Sequence, residues 1–100
     1  MESQEFIDEQ KTGIGNVLRL IRIARNLSTR ELAAKMNVSP SYVSDVETNK
    51  KMPSWDMLTK FSEALKVRKS TIVYFDEERE EEGYNYEKLL LKILQKISEL

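Results

Sequence analysis

The chain has no cysteine and no histidine, and only three glycines and two prolines among its 100 residues. Without cysteine there is neither a disulfide framework nor a thiolate centre, and without histidine the usual zinc ligands are missing as well. Catalysis would have to rest on carboxylates, lysines or serines, yet no nucleophile elbow, phosphate-binding loop or paired-acid motif occurs. The sequence therefore points away from an enzyme and calls for no cofactor. No apolar run approaches the roughly 18 residues that span a bilayer. The opening "MESQEFIDEQK" lacks the basic and apolar regions of a signal peptide. A cytoplasmic protein without membrane contact is the expectation. What is present is 40% hydrophobic and 8% aromatic residues, enough for one modest core.

The net charge of -1 hides a strong segregation. Residues 1–13 carry one base against four acids, net -3; residues 14–69 carry eleven against five, net +6; residues 70–100 carry four against eight, net -4. A basic body between acidic ends is the footprint of a surface that meets phosphates.

Apolar residues recur at helical spacing throughout, so the fold is expected to be all-α. Ile14, Leu18 and Ile21 begin a first helix that runs to about Arg25. Asn26, Asn37 and Asn49 each follow an apolar run, and asparagine is the commonest non-glycine residue in the left-handed conformation that closes a helix. The stretch "STRE" sets Ser28 at an N-cap with Glu31 three residues on, a capping box for a helix over 29–36. Ser39 followed by Pro40 opens a third helix, to about Thr48, because proline at the first helical position loses no hydrogen bond. Ser54 caps a fourth helix, 55–66, and a short fifth covers 69–75. The run "DEEREEEG" reads as a solvated stretch, linker or helix extension, and is assigned as an acidic linker, 76–83, before a last amphipathic helix over 84–100 capped by Asn85.

Two short helices joined by the turn "NVS" form a helix-turn-helix arrangement. Here the sequence resembles the XRE/Cro family of repressors, whose domain is a five-helix, lambda-repressor-like fold. "LSTRELA", "VSPSYVSDVE", "NKKMPS" and "L..FSEALKV" fall at the family's spacings across residues 14–75. Asparagine replaces the family's usual glycine at positions 26, 37 and 49, Thr29 its usual glutamine, and Arg68 a common capping serine. The resemblance implies double-stranded DNA as partner and a role as transcriptional regulator, probing DNA with helix three. A module that offers the same helix to a protein, as antitoxins and anti-repressors do, is the alternative.

On helix three, Val43 and Val46 define the inward face, Glu47 lies beside Val43, and Ser41, Ser44, Asp45 and Thr48 point away. Arg22 sits on the apolar face of helix one, as odd a place for a guanidinium as Glu47's is for a carboxylate. The resemblance implies that the two form an internal ion pair. Asp45 can accept from a cytosine amino group; Ser41 and Ser44 are base contacts with little coding power, and Pro40 offers an apolar one. Ser28, Thr29, Arg30, Tyr42, Asn49, Lys50 and Lys51 are the expected phosphate contacts. In the last helix Tyr86, Leu90, Ile93, Ile97 and Leu100 follow a heptad seam flanked by Leu89 and Leu94. That stripe can bury itself on its own domain or on a second subunit; the expectation is a homodimer on an inverted repeat.

Overall fold

The computed structural model describes residues 13–82 and 86–98. Residues 1–12 of the acidic N-terminal arm, 1–13, together with Asn85, Leu100 and the side chain of Tyr86, lie outside the described residues. Six helices and no strand occur among those described: α1 Gly15–Ala24, α2 Thr29–Met36, α3 Pro40–Glu47, α4 Trp55–Leu65, α5 Lys69–Glu82 and α6 Tyr86–Ser98. The first four end within two residues of where their caps and stops put them.

Those boundaries are local chemistry. Ser28 Oγ accepts the Glu31 N–H at 3.0 Å while Glu31 Oε1 accepts the Ser28 N–H at 2.8 Å, closing the capping box at α2. The backbone bond lowers the Glu31 carboxyl pKa below its ordinary value, and the Ser28 side chain adds to the effect. Ser39 accepts from the Tyr42 N–H and Ser54 from the Met57 N–H, each at 3.1 Å. Asn26, Asn37 and Asn49 all adopt positive φ, between 60° and 64°. Lys66 does so too, at 59°, with nothing in its chemistry to favour it. Its support comes from α1: Arg25 Nε donates to the Leu65 carbonyl at 2.8 Å and Nη2 to the Lys66 carbonyl at 2.7 Å. A cation at the negative end of α4 thereby satisfies two carbonyls that the helix itself leaves open.

Helix α1 is the centre of the packing and meets α3, α4, α5 and α6, while α2 rests on α3 and α4. Val17, Leu18 and Ile21 of α1 join Leu32, Val43, Val46, Phe61, Leu65, Ile72 and Phe75 in one core.

Two expectations change. Helix α5 does not stop at Phe75; it runs on through the acidic stretch to Glu82, so 76–82 is helix and not a linker. Lys92 of α6 reaches Glu78 at 2.6 Å and ties the extension down. The second change is α6. Its residues Leu89 and Ile93 are buried in the chain's own core, with Leu90 and Ile97 packed at the edge. Burying each of the first two is worth about 1.5–3 kcal/mol, and a helix of this length needs such a partner. Leu89 and Ile93 are therefore not residues of a dimer seam; among the described residues of that stripe, Leu94 stays substantially exposed, at 42%.

Candidate nucleic-acid interface

Helices α2 and α3 are joined by Asn37, Val38 and Ser39, with Asn37 turning the chain through its left-handed conformation. The second helix presents Pro40, Ser41 and Ser44 to solvent on one side and buries Val43 and Val46 on the other. Ser28 and Arg30 are exposed at the start of α2, Thr29 is half-buried there, and Lys50 and Lys51 are exposed in the loop after α3. One face of the molecule thus carries two capped helix N-termini, a helix edge of small polar side chains and a basic loop.

The rigidity of that face comes from behind it. Arg22 Nε donates to Glu47 Oε2 at 2.7 Å and Nη2 to Oε1 at 3.1 Å, a bidentate pair, while Nη1 donates to the Leu27 carbonyl at 2.8 Å. Their side chains are only 13% and 5% exposed, so the pair is largely desolvated, and each of the three guanidinium nitrogens donates a hydrogen bond. One guanidinium therefore fixes three segments to one another: α1, the turn into α2, and the end of α3. Glu47 is occupied inward and adds no negative charge to the outer face.

Asp45 is placed differently from a free reader. Its carboxylate lies 3.7 Å from Lys51 Nζ, and its carbonyl accepts the Lys50 N–H at 2.8 Å and the Lys51 N–H at 3.1 Å. Lys51 also stands over the Tyr42 ring, 5.7 Å from its centre. Burial pushes the Tyr42 phenol pKa up, so its hydroxyl stays protonated. Asp45, Tyr42 and Lys51 thus form one cluster that joins the helix to its following loop.

Asn49 has a structural part beside the expected one. Its Oδ1 accepts the Gly15 N–H at 3.1 Å, which joins its side chain to the start of α1. That bond substitutes for a local cap, since Ile14 at the N-cap of α1 supplies none. The close approach explains a glycine: a Cβ at Gly15 would lie 2.1 Å from the Val46 carbonyl oxygen and 2.8 Å from Asn49 Oδ1. Sequence reading missed both Arg25 and this use of Asn49. The two clustered glycines at 13 and 15, in a chain with only three, were the one available signal.

A capped helix pair with a tight three-residue connection, the second helix exposed along one edge and braced from the core, defines a helix-turn-helix domain of the DNA-binding kind. The chain belongs to the helix-turn-helix family of the XRE, lambda-repressor-like type: the family's model matches residues 18–72, more than half of its length. It is 33% identical over 88 residues to the immunity repressor protein of Bacillus phage phi105, a match covering 84% of this chain and 61% of that protein. The chain thus corresponds to about three-fifths of that relative's length. Its fold is similar to the crystal structure of the clp gene regulator ClgR from C. glutamicum, with a TM-score of 0.61 and 29% identity over 65% of this chain and 83% of that one.

Proposed function

We propose that the protein is a repressor that acts in the cytoplasm and binds an inverted-repeat operator as a dimer, with α3 in the major groove of each half-site. The observation that carries this reading is the bracing of α3 by the Arg22–Glu47 pair, which leaves a rigid serine-bearing edge facing outward between two helix N-termini. Pro40, Ser41 and Ser44 then meet base edges. Ser28, Thr29, Arg30, Tyr42, Lys50 and Lys51 hold the backbone, so that affinity comes from the frame and selectivity from the helix. The similarity to a phage immunity repressor favours repression over activation.

Asp45 takes a conditional part. Its pair with Lys51 is partly exposed, with the lysine side chain 57% accessible, and such pairs are worth about 0–1 kcal/mol. A phosphate competes for Lys51 easily. Once Lys51 turns to the backbone, the Asp45 carboxylate is released to accept from a cytosine amino group. Backbone grip and base reading are coupled by one ion pair.

The test is selection of bound sites from a random DNA pool, at several salt concentrations. The expected motif is an inverted repeat whose half-site centres lie roughly 34 Å apart, one turn of DNA. Asp45→Asn should relax the preference at one C·G pair by about 1–3 kcal/mol, and Lys51→Ala should weaken all sites alike and reduce the salt slope by about one. An unchanged motif with Asp45→Asn would leave Asp45 as a residue that only positions Lys51. Binding that ignores salt, or no selected motif at all, would favour a protein as the partner of α3.

A further inference from the structure

Three cations converge on one groove without an acid to answer them. Lys66 and Arg68 stand in the turn between α4 and α5, and Lys96 in the last turn of α6; with Ser70, Thr71 and Tyr74 of α5 they line an open groove of about 770 Å³. Their neighbours in the chain are engaged: Lys92 pairs with Glu78, and Lys69 donates to Thr59 Oγ1 at 2.8 Å while standing over the Trp55 ring, 4.5 Å from its centre. The side chains of Lys66, Arg68 and Lys96 have no such partner among the described residues. Glu63 is the one acid in the described lining, so the groove stays positive.

Like charges around a concave surface repel one another and focus a positive potential into it. Arg68 sharpens the effect, because it replaces a common capping serine at the positive end of α5, where a cation is disfavoured. An anion in the groove relieves both strains at once. Beside this groove lies a second recess of about 280 Å³, which shares Tyr74 and Lys96 with it and adds Phe75, Lys92 and Gln95. There Lys92 is neutralised by Glu78 at 2.6 Å, and Tyr74, 49% exposed, is set edge-on to Phe75 with 5.2 Å between ring centres. One recess therefore offers charge and hydroxyls, and the other an aromatic ring and an amide.

We propose that the two recesses together bind a mononucleotide, its phosphate held by Lys66, Arg68 and Lys96 with the Ser70 and Thr71 hydroxyls, and its base laid on Tyr74 with an edge toward Gln95. Guanidinium and ammonium groups give charge-assisted bonds to phosphate oxygens, and a hydroxyl adds a donor. An aromatic ring stacks on any base, and an amide both donates to and accepts from a base edge. The size suits a ligand of this kind, whose pockets measure roughly 300–1,000 Å³. A nucleic-acid strand is a poor occupant: Glu77, one turn beyond Tyr74 on α5, is exposed and repels a further phosphate. The ligand touches the α4–α5 turn, α5 and α6, so its binding ties the last helix to the domain. None of its contacts is a residue offered to DNA, and the site stands or falls independently of the operator.

The test is calorimetric titration of the full chain, without DNA and at fixed ionic strength, with AMP, ADP, ATP, GMP and GTP, and with inorganic phosphate, adenosine and guanosine as controls. At least one nucleotide should bind at least about tenfold more tightly than inorganic phosphate or its own nucleoside, because each control fills a single recess. Arg68→Gln with Lys96→Gln should weaken that nucleotide at least about tenfold, and Tyr74→Ala should weaken it without changing the binding of phosphate. All three side chains are exposed, so the unliganded variants should melt as the wild type does. Lys50→Gln with Lys51→Gln, on the face offered to DNA, should bind the nucleotide unchanged. In the wild type, saturation with the nucleotide should shift the amide resonances of Ser70, Thr71 and Gln95, which locates the site without any substitution. The proposal is overturned if no nucleotide exceeds inorganic phosphate, if those amides stay still at saturation, or if binding survives the change at 68 and 96 and is lost with the change at 50 and 51.

Discussion

Asn49 and Gly15 meet across 34 positions of sequence: the asparagine closes α3 in the left-handed conformation, and its side chain caps the start of α1. The end of the exposed helix and the beginning of the central one are thereby a single joint, and the positioning of α3 depends on a residue with no side chain. Gly15→Ala should drive a Cβ against the Val46 carbonyl and Asn49, destabilising by about 1–3 kcal/mol and loosening the loop that carries Lys50 and Lys51. Urea unfolding and amide exchange at residues 48–51 would measure the two effects. Unchanged stability would mean the joint adapts freely.

The Arg22–Glu47 pair predicts strong coupling. Arg22→Met or Glu47→Leu alone should cost roughly 3–5 kcal/mol, because each leaves a buried charge without its partner, and the double change should recover much of that loss. A double-mutant cycle by urea denaturation decides it; additive effects would show that the contact contributes little. The double variant, though stable, should bind DNA with a less well-defined α3.

Ile93 predicts the role of the last helix. It is fully buried, so Ile93→Ala should destabilise the domain by about 2–5 kcal/mol without regard to protein concentration. Removal of residues 84–100 should uncover the core and lower the melting temperature sharply. A truncated chain that melts like the full one would return α6 to a purely intermolecular role.

Glu31 predicts a pH dependence. Its pKa is lowered in the folded state from an ordinary 4.5. The stabilisation is therefore fully present above that value and is lost as pH falls through the lower, folded-state pKa. Amide protection at the start of α2 should decline on acidification below about pH 4.5 and should become insensitive there in Glu31→Gln. Identical acid profiles for the two proteins would remove the capping box as the cause.

Chemistry confined to one helical turn is legible in the order of the residues. Ser28 with Glu31, Ser39 with Pro40, and the three asparagine stops act on backbone groups three or four positions away, so the residues themselves state where α1 to α4 begin and end. Arg22 and Glu47 were readable as two charges on apolar faces, since a desolvated charge needs a partner wherever the chain takes it. Contacts between segments distant in sequence were decided only by the tertiary structure. The apolar stripe of α6 suits its own domain as well as a second subunit, and packing on α1 settles where Leu89 and Ile93 go. An acidic run reads equally as a solvated linker or as a helix extension until Lys92 meets Glu78 and holds it as helix. Lys66 has no intrinsic preference for a left-handed turn, and it is Arg25, 41 positions earlier, that stabilises one there. Local hydrogen-bonding chemistry acts over a few residues and is written in their order; the choice among equally apolar partners depends on which surfaces the folded chain brings together.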